Sequence, residues 1–178
     1  YPYDPTPLTP PTGEDVMVVD RLLFKTFYYY SDLRRTYVWL ISAEGGEPRQ
    51  IAFGDYDYHS ISYSPDGKWV ACVSNRTGKD DYNANNDICL LSTSGDELVQ
   101  LTDTIGPEYW PVWSPTDQRI AYLNRLRDHR SKESDAELYK VYVVPEKGGT
   151  PVNLTAPLDR WSSSPIWSRD GGRIYFTA

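Results

Sequence analysis

Three segments of the chain align without a gap: Ser64-Pro65-Asp66-Gly67-Lys68-Trp69-Val70-Ala71, Ser114-Pro115-Thr116-Asp117-Gln118-Arg119-Ile120-Ala121 and Ser168-Arg169-Asp170-Gly171-Gly172-Arg173-Ile174-Tyr175. They recur at steps of 50 and 54 residues. A second landmark keeps nearly the same step. Gly45-Gly46, Gly95-Asp96 and Gly148-Gly149 each precede a short run ending in Ile51-Ala52, Leu101-Thr102 or Leu154-Thr155. Two independent landmarks with one period define a tandem array, in which each unit covers its apolar face with the next.

Each unit reads as four short strands. In the second unit they are expected at roughly Tyr58–Ser64, Trp69–Asn75, Asp87–Thr93 and Leu98–Thr102. Pro65-Asp66-Gly67 suits the first turn, because Pro presets φ, Asp bonds back to the backbone and Gly accepts positive φ. The runs Val70-Ala71-Cys72-Val73 and Ile88-Cys89-Leu90-Leu91 are continuously apolar, which fits strands covered on both faces. The fold class is therefore all-β, an incomplete β-propeller of about three four-stranded antiparallel blades. A flat sandwich would not need the same turn at the same phase of every unit. The units fall at roughly 15–53, 54–102, 103–155 and 156–178, the first lacking an opening strand and the last incomplete. Propellers close with about four to eight blades, so the segment is expected to be part of a longer array. Residues 1–13 hold five prolines and read as linker or loop.

Fifteen Tyr and six Trp against one Met agree with strands, where aromatic side chains pack well. The formal net charge of −7 disfavours nucleic acid, since such a surface repels phosphates. No apolar run is long enough to span a bilayer as a helix. A soluble chain is expected, with the compartment left open between cytoplasm and periplasm or secretion. Cys72 and Cys89 lack metal-ligand spacing and read as two small buried hydrophobes in neighbouring strands.

The unit Ser-Pro-Asp-Gly-Lys-hydrophobic-Ala, followed by Ser74-Asn75-Arg76, Asn86-Asp87-Ile88 and Leu101-Thr102, resembles the TolB-type propeller repeat. A longer stretch is more specific. Val18-Val19-Asp20-Arg21-Leu22-Leu23-Phe24-Lys25, then Arg34-Arg35-Thr36-Tyr37-Val38-Trp39 and Gly45-Gly46-Glu47-Pro48-Arg49-Gln50, resembles the propeller of prolyl oligopeptidase family serine peptidases, on the acylaminoacyl and dipeptidyl peptidase branch. Leu158-Asp159-Arg160-Trp161 and Ile174-Tyr175-Phe176-Thr177-Ala178 fit the same branch. The resemblance implies a propeller that caps a C-terminal α/β-hydrolase domain of the same polypeptide and restricts entry to short peptides. It implies a Ser-Asp-His triad in that hydrolase domain and no cofactor. The other reading is a stand-alone TolB-like propeller that binds protein partners. Thr116-Asp117 in place of Asp-Gly, and Arg169 in place of Pro, depart from the repeat.

No catalytic residue is assigned within the chain. His59 lies in the first strand of its unit, expected to point with Ile61 and Tyr63, and reads as a satisfied blade histidine. His129 falls in the polar insertion 124–136, between the second and third strands of its unit. Asp80, Asp81 and Asp87 with Asn83, Asn85 and Asn86 do not follow an EF-hand spacing and are expected to form turns rather than hold Ca²⁺. In a four-stranded meander the fourth-to-first and second-to-third loops open on one face. That places 55–58, 103–110 and 159–161 on one rim with the insertion. Glu108, Tyr109, Trp110, Arg125, Arg127 and Arg160 are the candidates to face substrate there. Glu108-Tyr109-Trp110, if exposed, forms an acidic and aromatic group able to grip a peptide's amino end, but Tyr109 and Trp110 read first as packing residues leading into a blade strand.

No Gly-x-Ser-x-Gly elbow occurs in the chain. The chain alone is therefore expected to leave aminoacyl and acylaminoacyl chromogenic substrates intact. Turnover that survives repurification and resists a serine-directed inhibitor would contradict this.

Overall fold

A computed structural model describes residues 35–80, 82–125 and 138–178. The leader 1–13, the opening of the first unit, Asp81 and the insertion residues 126–137, with Arg127 and His129, lie outside the described residues. Every regular element among the described residues is a strand. β1 (Trp39–Leu40) pairs with β2 (Arg49–Gln50). The second blade is β3 (His59–Tyr63), β4 (Trp69–Ser74), β5 (Asp87–Ser92) and β6 (Leu98–Gln100), an antiparallel meander. The third repeats it with β7 (Glu108–Trp113), β8 (Arg119–Asn124), β9 (Lys140–Pro145) and β10 (Val152–Asn153). β11 (Ser163–Trp167) and β12 (Ile174–Thr177) form a two-stranded sheet. These bounds lie inside those expected from the repeat, and the sheets form an open array.

The continuous apolar runs serve two cores. Val70 and Cys72 of β4 join Cys89 and Leu91 of β5 against Val38, Ile51, Ala52 and Tyr58. Ala71 and Val73, with Ile88 and Leu90, face the other way, against Trp113, Ile120, Tyr122, Tyr142 and Val144 of the third blade. Side chains alternate across a strand, so a strand between two neighbours needs apolar residues at successive positions. Cys72 and Cys89 are direct cross-strand partners, buried and free. Burial pushes both thiols up, Cys89 to about 12.

Polar bonds tie the blades at repeated positions. The Trp113 indole Nε1 donates to the Ser62 carbonyl at 3.1 Å, and Trp167 Nε1 donates to the Val112 carbonyl at 3.0 Å. The Glu108 and Ser162 amides donate to the carbonyls of Asn86 and Tyr139 in the preceding blade.

The repeated turn closes as its sequence dictates. Ser64 Oγ donates to Asp66 Oδ1 at 2.8 Å and accepts from the Trp69 amide at 2.9 Å. Ser168, Asp170 and Arg173 reproduce the pattern, so Arg169 leaves the turn intact. Gly67 and Gly171 stand in the left-handed region, at φ 75° and 67°. A Cβ on Gly171 would lie 2.0 Å from Thr116 Oγ1, so the fourth unit's turn sits hard against the third's. Asp117 occupies the corresponding position of the third turn without positive φ and accepts from Arg119 Nε at 2.8 Å.

Glu108 is not the exposed acid expected from the sequence; it is the first residue of β7. It is 0% exposed, at the joint between the second and third blades. Its carboxylate accepts from Thr102 Oγ1, Thr104 Oγ1, Asn124 Nδ2 at 2.9 Å and the Ile88 amide at 3.2 Å. Four donors offset the desolvation that a buried carboxylate would otherwise suffer. Burial still raises its pKa. Asp87, 3% exposed, accepts from Gln100 Nε2 at 3.0 Å through one oxygen. Burial, then Glu108 and Asp103, push it to about 7.

Two tests follow from this framework. Gly67→Val is expected to destabilise the chain by roughly 1–3 kcal/mol through backbone strain, read by chemical denaturation. Asp87 holds its proton in the folded chain up to about pH 7, but in the unfolded chain only to about pH 3.9. Its contribution to stability is thus full below the lower value and lost as pH rises through the higher one. His59, whose pKa burial lowers, works in the opposite sense below about pH 6.5. The Asp87 contribution is therefore read as a difference. Between pH 5 and 8 the wild type is expected to lose on the order of 1–3 kcal/mol more than Asp87→Asn. Equal slopes would remove the buried acid from the account.

Candidate functional site

The meander brings the fourth-to-first and second-to-third loops together, as topology requires. The Arg35 guanidinium bonds Asp55 at 2.7 Å and Asp57 at 2.9 Å from one loop, and Asp80 from another. Asp55 is held below the usual carboxylate range by that bond. The Arg76 guanidinium lies 4.0 Å over the Tyr56 ring and donates to the Tyr58 hydroxyl at 3.0 Å. Asn85 Oδ1 accepts from the Gly106 amide at 3.0 Å. Asn75 and Asn83 bond the loop's own backbone: Asn75 Nδ2 donates to the Asn83 carbonyl, and Asn83 Oδ1 accepts from the Asn85 amide. That is turn chemistry.

Across the second and third blades the rim is aromatic. The His59 ring stacks on Tyr109 at 6.0 Å, Tyr109 meets Tyr139 edge-on at 5.9 Å, and Tyr139 meets Trp161 at 5.6 Å. Trp110 leans on Tyr109 at 6.2 Å, and the Arg125 guanidinium lies 5.2 Å over Tyr139. These separations lie in the range of favourable ring pairs and cation–π contacts. His59, mostly buried, has its pKa lowered by desolvation, with Asp57 acting against it. The imidazole is thus biased toward its neutral form, in keeping with a ring that packs.

Of the six expected rim residues, Tyr109, Trp110 and Arg125 come together on this strip. Arg160 is exposed on the loop beside Trp161, Glu108 is withdrawn into the joint, and Arg127 lies outside the described residues. Tyr139 was not among the candidates. It stands where Asn86 stands in the preceding unit, and register with the repeat could have flagged it.

The first strand of each described blade bulges at one place. Pairing shifts between His59 and Ser62, between Tyr109 and Val112, and between Ser163 and Ile166. Within those bulges Ser60, Trp110 and Ser164 have φ of 52°, 51° and 51°. A bulge adds a residue to one strand and re-aims the side chains around it. For that reason His59 does not share the outlook of Ile61 and Tyr63, which are exposed.

No known family profile matches the chain. An uncharacterized protein of Agrobacterium fabrum is 23% identical over 144 residues, covering 78% of this chain and 46% of its own length. A protein of Aspergillus terreus named "Probable dipeptidyl-peptidase 5" is 32% identical over 124 residues, 64% of this chain and 16% of its own length. The chain thus spans about half or less of the curated relatives it matches. The solved structure of a TolB-designated protein from Agrobacterium tumefaciens superposes with a TM-score of 0.59 at 19% identity, over 80% of this chain and 50% of that one. No helix among the described residues is long and apolar enough to cross a membrane. The repeat, the four-stranded meanders and the structural likeness agree: this chain has the TolB-type β-propeller fold, as an open array of blades.

Proposed function

We propose that the chain is the non-catalytic propeller segment of a serine exopeptidase acting on short peptides, where it caps a hydrolase domain of the same polypeptide and restricts substrate access. The observation that carries this reading is the 32% identity over 124 residues to the protein named "Probable dipeptidyl-peptidase 5". The rim supports it in kind. Its loops converge on rings and an arginine, groups that hold a peptide by stacking and cation–π contact without cleaving it. A capping propeller supplies orientation and exclusion, and the nucleophile comes from elsewhere. The second reading is a stand-alone TolB-like propeller that binds protein partners, with which the fold is equally compatible.

The experiment is made on the full-length polypeptide that carries this segment. A Gly-x-Ser-x-Gly elbow downstream is expected, with hydrolysis of dipeptidyl or acylaminoacyl chromogenic substrates that a serine-directed inhibitor blocks. Long unfolded polypeptides such as casein are expected to resist. A polypeptide that ends after its last blade would transfer the assignment to the partner-binding reading. Efficient casein cleavage would leave a peptidase but remove the access-restricting role.

A further inference from the structure

Trp110 stands in a conformation that its residue type does not favour. A bulky residue with positive φ is an outlier, and such strain persists where surrounding structure over-determines it, often at ligand clamps. Pro111 follows and biases its predecessor toward extended backbone, against the observed φ of 51°. The bulge itself does not call for an aromatic. The same place in the neighbouring blades holds Ser60 and Ser164, with φ within a degree of it. Packing on Tyr109 accounts for only part of the indole, since Trp110 is 54% exposed. A strained tryptophan beside Tyr109, on a strip continued by Tyr139 and Trp161, leaves about half of its surface exposed for a further contact.

We infer that Trp110 is a specificity-determining residue that stacks on an aromatic side chain (Phe, Tyr or Trp) of an extended peptide lying along the His59–Tyr109–Tyr139–Trp161 strip. The inference rests on the peptide reading proposed above and adds the side-chain class. Rings suit the site because offset or edge contacts between ring faces gain energy beyond area burial, and a ring loses little rotamer freedom when held. The strip offers several such faces in succession, so a peptide with one ring residue can seat it against Trp110 while its backbone runs past Tyr109.

The test titrates the chain with N-acetyl-Ala-Phe-Ala-amide and N-acetyl-Ala-Ala-Ala-amide by calorimetry, and follows thermal unfolding in parallel. The phenylalanine peptide is expected to bind about tenfold more tightly, the worth of one ring contact. Trp110→Ser, which copies the neighbouring blades, is expected to erase that preference while the melting temperature holds or rises. Trp110→Phe is expected to keep part of it. If both peptides bind equally to the wild type, the ring preference is wrong and the peptide reading survives. If neither binds, the peptide reading fails and takes this inference with it. A preference untouched by Trp110→Ser would place the ring elsewhere. A melting temperature that falls by several degrees in Trp110→Ser would make Trp110 a packing residue and overturn the assignment.

Discussion

β4 has no solvent face along most of its length, and the rest of the molecule follows from that. Val70 and Cys72 pack toward one neighbour, Ala71 and Val73 toward the other, and all four are buried. β8 repeats the arrangement, burying Ile120 to Leu123 without interruption. Apolar burial of this kind is the dominant favourable term in folding, and here it becomes available only when blades stack face to face. Among the described residues both core clusters are shared between neighbouring blades. Blade-to-blade packing therefore positions the described loops that meet on the rim.

Specific polar bonds set the blade register within that packing, because apolar contact alone is not directional. The Trp113 and Trp167 indoles each reach a carbonyl of the preceding first strand, one period apart. Glu108 gathers donors from the second blade, from the loop between blades and from β8 of the third. A carboxylate deprived of water must find such partners. The cost of removing it is also the reason it locates the start of β7 so firmly. Asp87, beside it, has fewer bonds and a pKa pushed to about 7, so this joint is sensitive to protonation.

The fold was legible because it is periodic. Ser64, Ser114 and Ser168 announced the turns, and strand bounds followed within a residue or two. The fate of Glu108 was not legible. An acid next to two aromatics in a connecting segment reads as exposed, and its donors come from positions 88, 102, 104 and 124, which only the folded joint unites. The bulges were hidden for another reason. Left-handed backbone is usually signalled by Gly or Asn, whereas these positions carry Ser60, Trp110 and Ser164. Strict alternation along β3 predicts one outlook for His59, Ile61 and Tyr63, and the bulge breaks that alternation. Convergence of the described loops follows from topology: residues 55–57 meet Asp80, and Tyr109 meets Tyr139 beside Trp161.

The buried joint and the open rim are two ends of one short segment. Glu108 is locked by four donors; the next residue, Tyr109, packs among His59, Trp110 and Tyr139; the one after it turns left-handed; and Pro111 is buried again. Both flanks of the Trp110 bulge are thus held by the core. Rotation of its backbone into an ordinary extended strand would have to withdraw Glu108 from its donors or expel Pro111 from its burial. That coupling explains how a local conformation costing on the order of 1 kcal/mol persists. It also means that the outward rings inherit their orientation from the stacking of blades. The acid that sequence would have placed on the rim acts from beneath it, by fixing the strand from which the rings project.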